Sequence, residues 1–462
     1  MTNIKVTKGL DIPIKGKPEG NVKPFIVSGE ANPLPPSQIA LDLTSFEDIK
    51  FRLISTVGDS VKLGQPIAED KGTPGRMFVA PAGGIIKEIR RGLKRRLLDI
   101  VIDVAEQEEI QQKDLINLSQ ISSEELISKL LEGGLFTHIR QRPFNILANP
   151  HKKPRSIFVK ALESAPFSPP AEFQIAGYEK EFQMGLNTLA KLTSGSVHLV
   201  YRKSTMNFPF LNATGVQKHT VEGPHPAANQ SLHIQNIDPI RSVEDVVWTV
   251  NAHDVVTIGY FVMHGRYFVD RIISIAGPGI LEDRTGYFKI REGYPIEDLI
   301  SGRVHKGLMR FVSGDILTGR PVNTEDYLGF NDYCFCVIQE NLSREFLNFL
   351  RIGTNKYTFS KTYLSGHFDN TEREYDFTTS QHGEHRPFID ATLYDKVMPL
   401  DVPTMHLVKA VLAEDYDLAA ELGLIEVDSE DFALASFVDP SKIEMGEIIK
   451  KGLNRYASDM LK

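Results

Sequence analysis

The chain has 462 residues, 41% hydrophobic and 24% charged, with 35 Gly and 26 Pro. This is the composition of a folded globular protein of about three domains, far from that of a disordered or collagen-like chain, and the length excludes a small stapled scaffold. Lys+Arg number 52 against 60 Asp+Glu, a net charge of −8, so a sequence-blind nucleic-acid binder, which needs a basic field, is disfavoured. The two cysteines, Cys334 and Cys336, exclude a disulfide framework and fall short of the roughly four thiolates of an all-cysteine iron–sulfur cluster. They alternate with Phe335, the period of a strand, so buried strand thiols are expected, with a redox or metal role as the alternative. The most apolar stretch, residues 255–263, is about half of the ~20 residues a membrane-spanning helix requires. The opening MTNIKVTKGLDIPIKG has no continuous apolar core of a secretory signal. A cytoplasmic chain, or one held at a membrane through partners, is the expectation.

Residues 54–89 alternate short β-rich runs with turn compositions at Gly58-Asp59, Gly64-Gln65, Thr73-Pro74-Gly75 and Pro81-Ala82-Gly83-Gly84, which predicts a small folded-over β module. The phrasing is similar to the barrel-sandwich modules of biotinyl and lipoyl carriers, which makes Lys71 a candidate for a swinging prosthetic group. The Gly72-Thr73-Pro74-Gly75 stretch lengthens the turn beyond that of a carrier hairpin, and the other reading of Lys71 is an exposed hairpin lysine. Residues 87–96, KEIRRGLKRR, hold six bases and one acid; they predict a solvated strand pair or a contact with an acidic subunit or an anionic lipid surface. From Ser122 the spacing becomes helical, with Ser123 as N-cap and Gly133-Gly134 as the stop. Strand patterns at 156–159 and 197–201 flank a helical pattern at 183–192, which favours an α/β layer. Strands are expected at 255–263, 267–277 and 285–293, with a short helix at 295–301 and another strand from 309, an α+β unit of the β-grasp kind. Residues 331–378 add strands at 334–340 and 355–364. The end is helical at 404–412, 416–422 and 443–461. The eight carboxylates from Glu414 to Asp431, with no Lys or Arg among them, predict a solvated acidic face or a docking surface.

Chemistry-bearing motifs are few. No G-x-G-x-x-G follows a strand and no G-x-x-x-x-G-K-[ST] is present, so a nucleotide has no phosphate cradle of those kinds. His382-Gly-Glu-His385-Arg386 is the nearest thing to a metal cluster, in a loop before Pro387; its other reading is a subunit or ligand contact by His382, His385 and Arg386. Gly223-Pro-His-Pro226 reads as a rigid turn, with His225 as a candidate acid or base.

Several phrases occur in order along the chain: Lys5 to Gly16 in part, Gly134-Leu-Phe with Arg140-Gln-Arg-Pro-Phe144, Glu222-Gly-Pro-His-Pro-Ala227, Arg271-Ile-Ile-Ser-Ile-Ala-Gly-Pro278, Val312-Ser-Gly-Asp-Ile-Leu-Thr-Gly319 and Val397-Met-Pro-Leu-Asp401. Together they resemble the A subunits of the Na+-translocating NADH:quinone reductases. The resemblance implies a peripheral, cytoplasmic-side subunit of a six-subunit inner-membrane complex that oxidises NADH, reduces ubiquinone and exports Na+. It implies five partner subunits, the membrane subunits above all, with flavins and iron–sulfur on those partners, and no cofactor on this chain. Distant relatives, the NADH-binding flavoprotein of respiratory complex I and the Rnf C subunit, use a glycine-rich loop or cysteine motifs. Here that loop reads GGLFTHIRQRPF, and residues 430–440 resemble the family's E-D-x-A-L-C-x-F-V-C-P phrase with Ala435 and Asp439 at the cysteine positions.

The expected fold is thus multidomain α/β and α+β: a barrel-sandwich module (1–118), a Rossmann-like α/β domain (119–253), a β-grasp soluble-ligand-binding domain (254–330), a β extension (331–378) and a C-terminal helical domain (379–462). A quinone head needs apolar or aromatic walls and one or two donors, and Phe136, Arg140, Arg142 and Phe144 supply those types; surface ion pairing is the competing role for the arginines. The expected function is assembly and quinone contact without a redox centre, with an Rnf-like electron-transfer subunit or a carrier using Lys71 as alternatives.

Overall fold

The computed structural model describes residues 1–27, 36–343, 345–347, 350–370, 372–388 and 390–461. Among these the strands form four sheets. Two belong to the barrel-sandwich module: Gln38–Asp42, Leu97–Val104, Gly84–Arg91 and Ser60–Val61 in one, Phe51–Leu53, Pro66–Asp70 and Met77–Val79 in the other. Alternation decides which side chains face inward, and Ile39, Leu41, Ile86, Ile100 and Ile102 meet Ile67 and Phe78 there. Lys71 is exposed on the hairpin after Pro66–Asp70, with its N–H bonded to the Lys50 carbonyl at 2.8 Å.

The central layer is a seven-stranded sheet in the order Asn3–Lys5, Gln217–Glu222, Ser196–Arg202, Ser156–Ala161, Val247–Asn251, Arg140–Arg142, Ile146–Leu147. The first five strands run parallel, and the last two are antiparallel additions. Parallel strands covered on both faces read as apolar runs, and both faces are used. Ile157, Val159, Val197 and Leu199 pack against Leu126 and Leu130 of the helix Ser123–Glu132, and Phe182, Leu186 and Leu189 of Glu179–Leu192. Phe158, Val200 and Val221 face Leu407, Val408, Phe432, Ile449 and Leu453 of the C-terminal helices. The helical region therefore has no separate core; it completes the α/β layer.

A six-stranded sheet follows, ordered Arg320–Val322, Met309–Ser313, Cys334–Gln339, Asp270–Ala276, Gly286–Arg291, Val22–Pro24. Its Ile273, Ile275, Phe335 and Val337 share one core with the barrel-sandwich strands. Cys334 and Cys336 are buried in this strand as free thiols, and burial pushes the Cys336 thiol well up, toward the inert form.

Several expectations change. Residues 255–263 are not a strand but the middle of the helix Ala252–His264, so the expected division at 253 cuts this helix, which packs on Glu179–Leu192 within the α/β layer. It is buried between sheet and helix, with ten buried residues spread around it, and a helix apolar on all sides loses its period. Residues 331–378 are not a separate β extension: Cys334–Gln339 lies inside the six-stranded sheet, and residues 355–364 form no strand among the described residues but a loop, with Tyr357 in a ring cluster against Tyr375, Phe377 and Phe437. The first residues do not join the barrel-sandwich module either, since Asn3–Lys5 and Val22–Pro24 edge the other two large sheets. The first helix is capped by Ser122, not Ser123: Ser122 Oγ accepts from the Glu125 N–H at 3.1 Å. The acidic stretch is solvated only in its first part, because Asp428 and Asp431 are buried.

Candidate functional site

In open α/β sheets the ligand crevice lies beyond the carboxyl ends of the strands, where the strand order reverses. Here the chain runs from Ser156–Ala161 outward to Ser196–Arg202 and Gln217–Glu222, then returns to Val247–Asn251 on the other side of Ser156–Ala161. A cavity of about 700 Å³ opens at that reversal. Its walls come from residues 44–48 of the barrel-sandwich module, 313–321 and 331–334 of the β-grasp sheet, and 428–430 and 447–454 of the C-terminal helices. No single domain could form it.

The floor is the start of the helix Ala252–His264. Its N-cap, Asn251, makes no side-chain cap bond, so amide donors and the positive end of the helix dipole face the space. Thr249, 2% exposed, has an Oγ1 with no hydrogen-bond partner among the described residues. Behind the floor lies a buried chain of polar groups. His138 Nδ1 meets Asp254 Oδ1 at 2.9 Å and its Nε2 meets the Tyr267 hydroxyl at 3.0 Å; that hydroxyl lies 3.2 Å from Glu292 Oε2. The Tyr333 hydroxyl donates to Asp254 at 3.3 Å, and the Arg271 guanidinium lies 4.9 Å above its ring. Burial pushes the Asp254 carboxyl up, but hydrogen bonds and charge from His138 and His253 outweigh it and hold the group well below the ordinary carboxylate range. Burial, with the Glu292 and Asp254 carboxylates, raises the Tyr267 and Tyr333 phenols well above their usual value, so both stay protonated.

The quinone-site candidates separate. Phe136 does not line the cavity: it is fully buried in the α/β core, edge-on to Trp248 at 5.6 Å, because its place just after the Gly133-Gly134 helix stop turns it inward. Arg142 is buried and already committed, with Nη2 3.0 Å from Asp428 and Nη1 donating to Ser231 Oγ at 3.1 Å. Phe144 lines the cavity at φ 79° and packs on Tyr456. Arg140 also lines it, half-buried, over the Phe46 ring at 5.6 Å and with no carboxylate in ion-pair range among the described residues. His225 reaches the cavity as well; its Nδ1 is 3.0 Å from Ser164 Oγ, and burial lowers it to about 4, so it is neutral at pH 7. His382, His385 and Arg386 lie elsewhere, on an exposed loop where Arg386 Nη2 reaches the Pro440 carbonyl at 3.4 Å. Among the described residues no group of three or more His, Cys, Asp or Glu is placed to hold a metal ion.

Sequence reading alone missed Thr249, Asn251, His253, Asp254 and Tyr333. A signal was present: the apolar run VVWTV ends at Asn251-Ala-His-Asp254, a strand–turn–helix junction of the α/β kind, hidden when the next residues are taken for another strand.

Three family models match, described as the NqrA N-terminal barrel-sandwich hybrid domain (residues 4–105), the NqrA second alpha/beta domain (121–267) and the NQRA C-terminal domain (272–324). The A subunit of the Na(+)-translocating NADH-quinone reductase of Chlamydia caviae is 36% identical, covering 99% of this chain and 97% of its own. Those of Chlamydia pneumoniae and Rhodopirellula baltica are 37% and 35% identical, covering 99% and 97% of this chain and 98% and 97% of theirs. Among solved structures, a chain of an NAD+-reducing [NiFe]-hydrogenase aligns with a TM-score of 0.36 at 11% identity, over 74% of this chain and 64% of that one. Domain models in sequence order and identity over nearly the full length agree with the layered architecture, and the chain belongs to the A-subunit family of the Na+-translocating NADH-quinone reductases.

Proposed function

We propose that this chain is the peripheral A subunit of such a reductase, that it carries no redox centre of its own, and that its interdomain cavity contacts the quinone through Arg140 and Phe144. Its place is at the cytoplasmic face of the inner membrane, bound to the five other subunits, chiefly the membrane-embedded ones; flavins and iron–sulfur belong to those partners. Among the described residues no helix is long and apolar enough to cross a membrane, in keeping with attachment through partners.

One observation carries the quinone reading: Arg140 is a cavity-lining guanidinium with no carboxylate partner among the described residues, next to Arg142, whose Nη2 pairs with Asp428 and whose Nη1 donates to Ser231. A free guanidinium donates to a quinone carbonyl, and the amides opening the helix Ala252–His264 supply a second set of donors. Phe144 offers an apolar wall. Titration of the purified chain with a short-chain ubiquinone tests this: saturable binding that Arg140→Ala abolishes without changing thermal stability is expected. Binding that survives Arg140→Ala, or no saturation at all, would remove the site. A colourless preparation is expected; a stoichiometric chromophore that survives gel filtration overturns the statement about redox centres.

A further inference from the structure

The hairpin joining Gly84–Arg91 to Leu97–Val104 ends in an unusual turn. The Arg96 N–H donates to the Leu93 carbonyl at 3.1 Å, and the two residues between, Lys94 and Arg95, have φ of 54° and 62°. The five residues 92–96 join the strands, and of the pairs that can place two consecutive left-handed residues at the centre of such a β-turn, Asn-Gly is the one that does so without steric cost. Lys-Arg there works against turn stability, and retained strain of this kind points to use of the side chains.

Their surroundings show which use. Arg90 is spent on Asp99 and Asp326, and Arg96 on Glu47 and the Thr44 carbonyl. Arg91, Lys94 and Arg95 are exposed and make no ion pair among the described residues. At the apex between them stands Leu93, 93% exposed. Three exposed cations, of which Arg91 also donates to the Arg95 carbonyl at 3.1 Å, ring a bare leucine and, on a chain of net charge −8, form a local feature opposite in sign to the whole. An acidic protein surface would satisfy the cations and leave the leucine in need of an apolar recess. An anionic bilayer satisfies both, since headgroup phosphates pair with the cations while the apolar tip enters the acyl boundary. We propose that this hairpin tip, residues 91–96, is a contact for an anionic lipid surface. The proposal is independent of the quinone reading.

Sedimentation of the full chain with vesicles of phosphatidylcholine, alone or with roughly one third phosphatidylglycerol, tests it. Binding to the anionic vesicles only is expected, weakened by salt and lowered roughly 25-fold or more by Lys94→Glu with Arg95→Glu, at about fivefold per cation. Leu93→Ser should lower it further without changing the melting temperature. Lys94→Asn with Arg95→Gly separates contact from folding, because it relaxes the turn: the melting temperature should rise while vesicle binding falls. A raised melting temperature with unchanged vesicle binding overturns the proposal. So does equal binding to neutral vesicles, or binding of the tip to polyglutamate with none to anionic vesicles, which would assign it to an acidic protein.

Discussion

Arg142, at the end of the strand Arg140–Arg142 of the α/β sheet, holds Asp428 of the C-terminal region at 3.0 Å, with 4% and 8% of the two side chains exposed. The same carboxylate accepts from Asn145 Nδ2 at 2.5 Å and caps the turn that starts the helical run 429–438. One buried ion pair thus fastens two distant parts of the chain beside the cavity. Removing one partner leaves a buried charge uncompensated, so Arg142→Ala should cost roughly 3–5 kcal/mol in a denaturant titration. The double variant Arg142→Ala with Asp428→Ala should cost less than the sum of the singles, because neither charge is then stranded.

The helices Glu179–Leu192 and Ala252–His264 touch backbone to backbone through Gly185 and Gly259. A Cβ on Gly259 would lie 1.8 Å from the Glu181 carbonyl oxygen and 2.6 Å from the Gly185 nitrogen. Gly259→Ala must push the helices apart, and overpacking of this kind costs about 1–3 kcal/mol or more. Since the second helix opens at the cavity floor, the same variant should weaken binding of a short-chain ubiquinone, measurable by titration of the purified chain.

His219, His225 and His233 are each lowered to about 4, chiefly by burial. The folded state then binds fewer protons than the unfolded chain between about pH 4 and the ordinary histidine value near 6.5, so stability is full above about 6.5 and falls as pH drops toward 4. For the fully buried His233 the depression corresponds to about 3 kcal/mol. His233→Gln, whose amide can still donate to the Ala227 carbonyl that His233 Nε2 reaches at 2.8 Å, should flatten this acid limb. Melting temperatures at pH 7 and pH 5 for both proteins check it; an unchanged slope would disprove the assignment.

Glu430 carries the opposite sign. Desolvation in the cleft, then the Asp428 and Asp431 charges, push its carboxyl up to about 8. The folded state holds that proton where the unfolded chain has lost it, so this contribution is present below about 4.5 and is lost as pH rises through 8. Glu430→Gln, which cannot ionise, should gain in melting temperature relative to the parent at pH 9 and show little difference at pH 5.

Much of the scaffold was legible locally. The strands at 156–161 and 196–202, the helix Thr404–Leu412 and the glycine stop at 133–134 follow from period and turn chemistry. The ordered phrases from Lys5 to Asp401 identified the family. The helix Ala252–His264 was illegible because burial on all sides erased its period, and Asn251 to Asp254 were lost with it. Arg140 and Arg142 look alike in sequence; only packing shows that Arg142 is ion-paired with Asp428 and that Arg140 has no carboxylate in ion-pair range among the described residues.

By itself the sequence determined the family, the run of β and helical segments and the scarcity of cofactor motifs, since periodicity, capping and turn preferences act over a few residues. The tertiary structure alone decided where those segments meet: residues near 45, 140, 250, 320, 430 and 450 line one cavity, and Asp428 neutralises an arginine on a distant strand. Ion-pair distance and burial depend on how chain segments far apart in sequence pack, and no local pattern encodes them.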